Sequence, residues 1–240
     1  MAEKKGASDR AFQKIINLVL SHELKPGDRI YETNLVDELH MSRTPIREAL
    51  SRLVSTGFLE KTSGQKGYVV PLLSPDDMEQ VYYSRIVIEG KAARRAAQNA
   101  DQKATEDLVR LNEEEKRKYQ ANAKDEYAAL NEKFHMAIAE MSGNTYLYRY
   151  IQQLFWRSNL YVFFFMSFYN LKQPESNGTE TDIRLSYKEH EKIIEAILAK
   201  DGFAAEKAMQ EHLITAYNSM LNPQSKPVRG HSLLPDNVIK

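Results

Sequence analysis

Apolar residues follow two different patterns along the chain. In the first 70 residues, helical spacing predicts helices over about 9–24, 33–39 and 45–54, and β-rich runs predict strands over 58–61 and 67–70. From residue 75 onward, only helical spacing occurs. The chain is therefore predicted to be mainly α, with a small mixed part followed by a larger helical part.

The first part has the element order of a winged helix-turn-helix domain. The turn at Lys25–Asp28 contains Pro-Gly and ends the first helix. The link from His40 to Ser42 is too short for anything but a tight bend between two helices. The two strands flank residues 62–66 and predict a small β-hairpin wing.

The helix after this bend has a polar face suited to DNA. We place Pro45 at its first position, with Thr44 before it as the capping residue and Ile46 starting its apolar stripe. The other face carries short hydroxyls and long cations, which can meet phosphates and base edges: Arg43, Thr44, Arg47, Ser51 and Arg52. A solvated surface is the alternative for each arginine, and it is the favoured interpretation for Arg52.

These segments resemble the DNA-binding domain of the GntR family of bacterial transcription regulators. The matching segments are Leu24–Gly27, Ser42–Leu50, Leu53, Gly57–Leu59 and Gly67–Val69. The resemblance implies a homodimer that binds a pseudo-palindromic double-stranded operator. The residues expected to contact DNA are Arg43, Thr44, Arg47, Ser51, Lys66 and Gly67. His40 stands where family members often have Gly, so a non-glycine residue is expected at positive φ there.

Six helical segments follow and predict an antiparallel bundle. They span 75–99, 103–122, 124–141, 145–169, 183–200 and 202–221. Pro71–Pro75 is the predicted joint, which gives a DNA-binding domain at 1–73 and a ligand-binding helical domain at 74–221. Residues 222–240 contain three prolines and a glycine and predict a flexible tail.

Three histidines of the bundle, His135, His190 and His212, lie on apolar helical stripes and are predicted to point inward. His190 and His212 lie 11 residues before and after Asp201, where the chain is expected to reverse. Both are then about 16 Å from the turn, at the same height on neighbouring helices. Asn131 lies four residues before His135 on the same face. Four polar side chains are therefore expected to converge.

This bundle resembles the FCD-type effector domain of the FadR-like branch of the GntR family. The matching segments are Asn131–His135, Ser142–Asn144, Glu189–His190 and Glu211–His212. The resemblance implies a divalent metal, such as zinc or nickel, held by the three histidines. Asn131 stands where metal-binding members have Asp, so the fourth ligand brings no charge and the site is expected to be weakened.

Two alternatives for the histidine cluster remain open. A hydrogen-bonded core network would need no metal, and the bundle would then only support a DNA binder. Three histidines with an open coordination position also suit a metal-dependent enzyme of helical fold. However, the apolar stripes offer no obvious acidic base, and an enzyme has no use for a recognition helix. We therefore predict a ligand-responsive transcription regulator rather than an enzyme.

A small organic acid is the predicted effector. Arg85 lies on the inward stripe of the first bundle helix, and a guanidinium beside a metal can hold a carboxylate. A simple ion pair between Arg85 and Glu89, four residues on, is the alternative. Tyr82 and Trp156 are expected to line the same site. The charged run 113–118 is interpreted as a solvated helix face.

Composition limits the class of protein further. The chain has 33 Lys and Arg against 33 Asp and Glu, so any DNA-binding surface must arise from the placement of its cations. It has no cysteine, which excludes disulfides and thiolate metal sites. The N-terminus lacks a signal-peptide apolar run, and the densest apolar stretch, 160–169, is far shorter than the ~20 residues of a membrane span. A cytoplasmic protein without membrane contact is expected.

Overall fold

The computed structural model describes residues 6–62, 67–165 and 186–221. The N-terminal part consists of α1 (Ala7–Leu20), β1 (Arg29–Ile30), α2 (Glu32–Leu39), α3 (Arg43–Ser55), β2 (Glu60–Lys61) and β3 (Tyr68–Val69). The rest consists of α4 (Pro75–Asn99), α5 (Gln102–Gln120), α6 (Lys124–Met141), α7 (Thr145–Phe165), α8 (Ser186–Leu198) and α9 (Gly202–Leu221). The predicted mainly α fold, with a winged helix-turn-helix and a helical bundle, is confirmed.

Helices α1 and α3 form the centre of the N-terminal part. Their apolar positions recur at helical spacing, and Ile15, Ile46 and Leu50 are fully buried between them. Between α2 and α3, His40 adopts a left-handed conformation with φ of 50°, as the sequence predicted. This residue lets the chain turn directly from one helix into the next.

The start of α3 differs from the prediction. The helix begins at Arg43, with Ser42 in the N-cap position, so Pro45 is its third residue and Thr44 its second. The prediction that Pro45 is the first residue and that Thr44 caps the helix is therefore wrong. Pro45 is still compatible with the helix, because the first four N–H groups have no intrahelical partner to lose.

The wing belongs to a three-stranded antiparallel sheet with the order β1-β3-β2. The predicted hairpin is confirmed, with Glu60 opposite Val69. Strand β1 was not predicted, because two residues give no alternating pattern. Gly67 precedes β3 with φ of +126°, and a Cβ atom there would lie 3.1 Å from the carbonyl oxygen of Ile30. A glycine is therefore required for β1 and β3 to approach each other.

The six predicted bundle helices are all present, with ends that shift by a few residues. Parts of the fourth and fifth predicted segments, the loop between them and the predicted tail at 222–240 lie outside the described residues. Within the described ranges, no helix is long and apolar enough to cross a membrane.

Small residues let α4 and α9 pack closely along the bundle. Ala93, Ala97 and Ala205 are fully buried there. A Cβ atom at Gly90 would lie 3.0 Å from the Gln210 side chain, so a larger residue at position 90 would require that side chain to shift. This packing brings His212 of α9 alongside the inward residues of α4.

Helix α7 joins the bundle to the N-terminal part. Trp156 is buried in the same apolar cluster as the α1–α3 core and makes edge contacts with Phe12 and Phe58, at ring-centroid distances of 5.7 and 5.5 Å. The next residue, Arg157, donates hydrogen bonds to Asp77 Oδ2 (2.9 Å) and to the Leu72 carbonyl (3.2 Å). Helix α7 therefore contacts both parts and the segment that links them.

Candidate functional site

The three predicted histidines converge inside the bundle. His135 comes from α6, His190 from α8 and His212 from α9, and all three are buried. One ring nitrogen from each lies within 4.8 Å of those of the other two. The Nε2 atoms of His135 and His212 are 3.3 Å apart. The predicted convergence of the three histidines is confirmed, whereas Asn131 as a fourth member stays a prediction.

A glutamate holds the Nδ1 atom of each histidine. Glu89 Oε2 lies 2.6 Å from His135 Nδ1, Glu115 Oε2 lies 2.8 Å from His190 Nδ1, and Glu189 Oε2 lies 2.8 Å from His212 Nδ1. Metal-binding histidines commonly have such a carboxylate on the nitrogen away from the metal, because it fixes the ring and makes the other nitrogen more basic.

Glu115 corrects the interpretation of the run 113–118 as a solvated face. Its side chain is 0% exposed, whereas Glu113 and Glu114 beside it are exposed. A signal was present in the sequence, since Glu115 continues the buried stripe of α5 formed by Thr105, Leu108 and Asn112 at intervals of three and four residues. The apolar stripes were predicted to offer no obvious acidic base, but a glutamate does lie against each histidine.

The charges of these groups fix which nitrogen carries the proton. Burial alone would raise the pKa of Glu89, but Arg85 and His135 outweigh it and lower that pKa to about 2. Burial likewise opposes ionisation of Glu115, but His190 and Ser186 lower its pKa overall. An ionised carboxylate only accepts hydrogen bonds, so the Nδ1 atoms of His135 and His190 donate to Glu89 and Glu115.

The Nε2 atom of His135 is consequently left with a lone pair, which lies toward Nε2 of His212. Burial, as the largest effect, lowers the pKa of His135 to about 4, so its ring is neutral near pH 7. Nε2 of His212, 3.3 Å away, can meet this lone pair either by donating an N–H···N hydrogen bond or by binding the same positive ion. Two nitrogens bound to one tetrahedral zinc ion at 2.0–2.1 Å would lie about 3.3 Å apart. The observed separation of this pair therefore fits a direct hydrogen bond and also a shared metal ion.

On the three helices that carry these histidines, two buried polar atoms lack a hydrogen-bond partner among the described residues. They are Nε2 of His190 and Oδ1 of Asn131. The His190 ring is stacked on Phe134 at a centroid distance of 3.8 Å, so it cannot turn freely to find one. Unpaired buried acceptors are rare and call for an explanation, and coordination of a cation supplies one.

Arg85 lies beside the histidines as a buried cation. Its Nε donates to Glu89 Oε1 (2.5 Å) and its Nη1 to Ser158 Oγ (2.8 Å). The predicted alternative, an Arg85–Glu89 ion pair, is therefore present, and Glu89 contacts Arg85 and His135 at once. Burial opposes the charge on Arg85, but Glu89 keeps the pKa of Arg85 raised. Nη2 of Arg85 has no hydrogen-bond partner among the described residues.

The two aromatic residues predicted to line the effector site lie in different places. Tyr82 is buried next to Arg85, whose guanidinium carbon is 5.7 Å from the centre of its ring. Trp156 instead packs against the N-terminal part, as described above. Its neighbour Phe155 is the α7 aromatic that contacts the site. The centre of the Phe155 ring lies 5.3 Å from the centre of the His135 ring and 5.0 Å from the guanidinium carbon of Arg85.

The predicted DNA-contacting residues of α3 form one exposed face. Arg43, Thr44, Arg47 and Ser51 are all exposed and lie within one side of the helix. Arg52 lies on another side, where it pairs with Asp9 at 2.7 Å and covers the Phe12 ring at 4.3 Å. Its assignment to the same face as Arg47 is therefore wrong. Gly67 lies at the start of β3, and Lys66 lies outside the described residues.

Two protein-family models match the chain. The model described as FCD domain matches residues 80–215, which is more than half of the 240 residues, and the model described as bacterial regulatory proteins, gntR family, matches residues 7–70. The chain belongs to the GntR family, with an FCD domain. Relatives of this GntR-FCD protein are likewise named as HTH-type transcriptional regulators.

Similar proteins cover almost the whole chain. The uncharacterized HTH-type transcriptional regulator YdhC of Bacillus subtilis is 28% identical over 208 residues, which are 86% of each chain. The HTH-type transcriptional regulator LutR of the same organism is 29% identical over 216 residues, or 82% of this chain and 93% of LutR. The solved structure of E. coli McbR/YncC has the same fold, with a TM-score of 0.71 and 23% identity over 91% of this chain and 100% of that one.

The GntR-FCD protein is therefore a DNA-binding transcription regulator and not an enzyme, because its family and its relatives are transcription regulators. The alternative of a metal-dependent enzyme has no support in these comparisons.

Proposed function

We propose that the GntR-FCD protein is a homodimer whose affinity for a pseudo-palindromic operator is controlled by a divalent metal and a small organic acid bound together in the helical bundle. The observation that carries this proposal is the arrangement of the three histidines. The Nδ1 atom of each lies within hydrogen-bond distance of a buried or half-buried glutamate, and one ring nitrogen of each lies within 4.8 Å of those of the other two.

The metal would be held by His135, His190 and His212, with Asn131 Oδ1 as the fourth protein ligand. Neutral imidazoles and an amide oxygen suit zinc, nickel or a similar ion. The unpaired acceptors on His190 and Asn131 support this set. When bound, the ion would supply an electrophilic centre for a carboxylate oxygen of the effector.

The organic acid would be held by Arg85. Its Nη2 is the donor that has no partner among the described residues, and its other nitrogens are fixed by Glu89 and Ser158. A guanidinium fixed in this way offers its remaining N–H groups to a carboxylate without further ordering of the side chain. Tyr82 and Phe155 cover the guanidinium and reduce its contact with water.

Helix α7 is the proposed connection between this site and the DNA-binding part. Ser158 accepts a hydrogen bond from Arg85, and Phe155 contacts His135. Between them on the same helix, Trp156 packs on the N-terminal core and Arg157 binds the linking segment. A ligand that changes the contacts of Arg85 would therefore favour one placement of the DNA-binding domains, and so change operator affinity.

The test is a DNA titration with controlled ligands. An operator is first selected from random duplexes, and binding is then followed by fluorescence anisotropy with zinc or nickel and with propionate, succinate or citrate as probes. We expect at least one metal and acid pair to change the operator affinity by about fivefold or more. His190→Ala should abolish this change and retain basal binding, while Lys133→Ala, at an exposed position of α6, should retain both.

Two results would contradict the proposal. One is an operator affinity that no metal or acid changes in the wild-type protein. The other is an unchanged response in His190→Ala. Either would favour the alternative of a DNA binder whose bundle has no ligand.

A further inference from the structure

Arg47, in the middle of the exposed face of α3, is held by an acidic residue from the preceding helix. Glu32 is the first residue of α2. Its Oε1 accepts from Arg47 Nη2 at 2.9 Å, and its Oε2 accepts from Arg47 Nε at 3.3 Å. The Arg47 side chain is nevertheless 67% exposed, so the pair does not bury the guanidinium.

This contact uses only one side of the guanidinium. A guanidinium carries five N–H groups in one plane. Glu32 takes the Nε–H and one hydrogen of Nη2, which leaves both hydrogens of Nη1 and the second hydrogen of Nη2. One hydrogen of Nη1 and the second hydrogen of Nη2 form a second pair of parallel donors at the end of the side chain.

That second pair matches guanine. The O6 and N7 atoms of guanine accept two parallel hydrogen bonds in the major groove, and arginine is their commonest partner. A long arginine side chain otherwise samples many rotamers and reaches phosphates as readily as bases. With Glu32 bound on one side, the rotamer is restricted and the free end is directed away from α2.

The negative charge of Glu32 adds a second effect. The Glu32 side chain is 25% exposed, and a carboxylate near the DNA-facing surface is repelled by phosphates and partly neutralises the attraction of Arg47 to them. Since non-specific binding rests almost entirely on phosphate contacts, this charge weakens non-specific binding more than a correctly formed base contact.

We infer that Glu32 is a specificity-determining residue, which orients Arg47 toward a guanine in the operator and lowers the affinity for unrelated DNA. This inference rests on the proposed contact between α3 and DNA. It assigns to Glu32 a positioning role, in which it acts on the base through Arg47.

The test compares binding to the selected operator, to every single-base-pair variant of it and to a scrambled duplex. Arg47→Ala should flatten the preference at one guanine and so identify the position that Arg47 reads. Glu32→Gln should reduce the preference for guanine at the same position. It should also lower the ratio of operator affinity to scrambled-duplex affinity by about tenfold, largely because binding to scrambled DNA becomes tighter. In the Arg47→Ala background, Glu32→Gln should change the base preference no further.

Two further variants separate orientation from charge. Glu32→Asp keeps the charge but is one methylene shorter, so it should retain weak binding to scrambled DNA while losing most of the guanine preference. Asp9→Asn breaks the Arg52–Asp9 pair, which has a similar length of 2.7 Å and lies on another side of α3. It removes one negative charge from the same domain and should leave the base preference unchanged.

The outcomes distinguish the inference from the function on which it rests. If Arg47→Ala weakens operator binding but Glu32→Gln leaves the preference and the ratio unchanged, the DNA contact stands and the role of Glu32 is overturned. If Arg47→Ala itself binds the operator like the wild type, both are overturned. Equal effects of Glu32→Gln and Asp9→Asn would show a general charge effect and would also overturn the positioning role.

Discussion

Replacing Glu115 with Gln changes the charge next to His190 while keeping the shape of the side chain. In the native protein, the two Glu115 oxygens accept from His190 Nδ1 at 2.8 Å and from Ser186 Oγ at 2.9 Å, and the side chain is fully buried. The amide can keep its oxygen on His190 and turn its NH₂ group to the Ser186 hydroxyl, so the packing is expected to survive.

What is lost is the charge-assisted hydrogen bond, which is about twice as strong as its neutral counterpart. The Nε2 atom of His190 becomes less basic, and its affinity for a metal falls. Loss of such a carboxylate typically lowers metal affinity by about 10–100-fold, which is about 1.4–2.8 kcal/mol. At saturating metal, the metal-induced gain in the free energy of unfolding should fall by the same amount.

The assay is a competition titration of zinc and nickel against a fluorescent chelator, together with thermal unfolding of metal-free and metal-loaded protein. Glu114→Gln is the matched control, because Glu114 precedes Glu115 and is exposed. We expect the control to bind metal like the wild type. Equal metal affinity in Glu115→Gln and Glu114→Gln would refute the reasoning, because the buried carboxylate would then have no effect on the histidines.

Four further predictions concern the same sites and the assembly. Asn131→Asp should tighten metal binding in the same titration, because it adds a negative charge to the ligand set, and unchanged affinity would remove Asn131 from that set. Arg85→Lys keeps the charge but loses the paired donors, so the protein should still bind metal while the effect of the organic acid on operator affinity falls by about tenfold. An unchanged effect of the acid would exclude Arg85 as the residue that binds its carboxylate. Gly67→Ala should lower the free energy of unfolding, measured in denaturant titrations, by about 1–2 kcal/mol, because residue 67 has a positive φ and the added Cβ would contact the Ile30 carbonyl oxygen. Wild-type stability would contradict this account of the wing. Light scattering should give about twice the 27.6 kDa of one chain, and a stable monomer at micromolar concentration would contradict a pseudo-palindromic operator.

The histidine cluster could be predicted because two regular features determine it. Each histidine lies on an apolar stripe, which fixes the direction of its side chain, and the equal spacing about Asp201 fixes the height of two of them. The left-handed conformation of His40 was predictable for a similar reason, since a three-residue link between helices leaves few backbone solutions.

The glutamates that hold the histidines were harder to predict. Glu115 lies in a run of charges, and the usual fate of such a run is a solvated surface. Its burial depends on α8 packing against α5, which brings His190 and Ser186 to it. Only the continuation of the α5 stripe at intervals of three and four residues distinguishes Glu115 from its neighbours.

Helix α7 shows why the effector residues could not all be assigned from the sequence. Its buried residues lie on nearly every side, because the bundle covers one side and the N-terminal part covers another. No single apolar stripe then distinguishes Phe155, which contacts His135, from Trp156, which contacts Phe12. Which side of α7 faces the bundle and which faces the N-terminal part depends on how these two parts are placed, and the sequence of α7 alone does not determine that placement.

The central claim, a metal held by the three histidines in the helical bundle, is tested most directly by anomalous X-ray diffraction from crystals of the protein as purified. Data collected on both sides of the zinc and nickel absorption edges identify the element and its position. We expect an anomalous peak within bonding distance of Nε2 of His135, His190 and His212, with Asn131 Oδ1 directed toward it. A site without an anomalous peak, also after soaking in zinc or nickel, with the Nε2 atoms bonded to water or to one another, would contradict the claim.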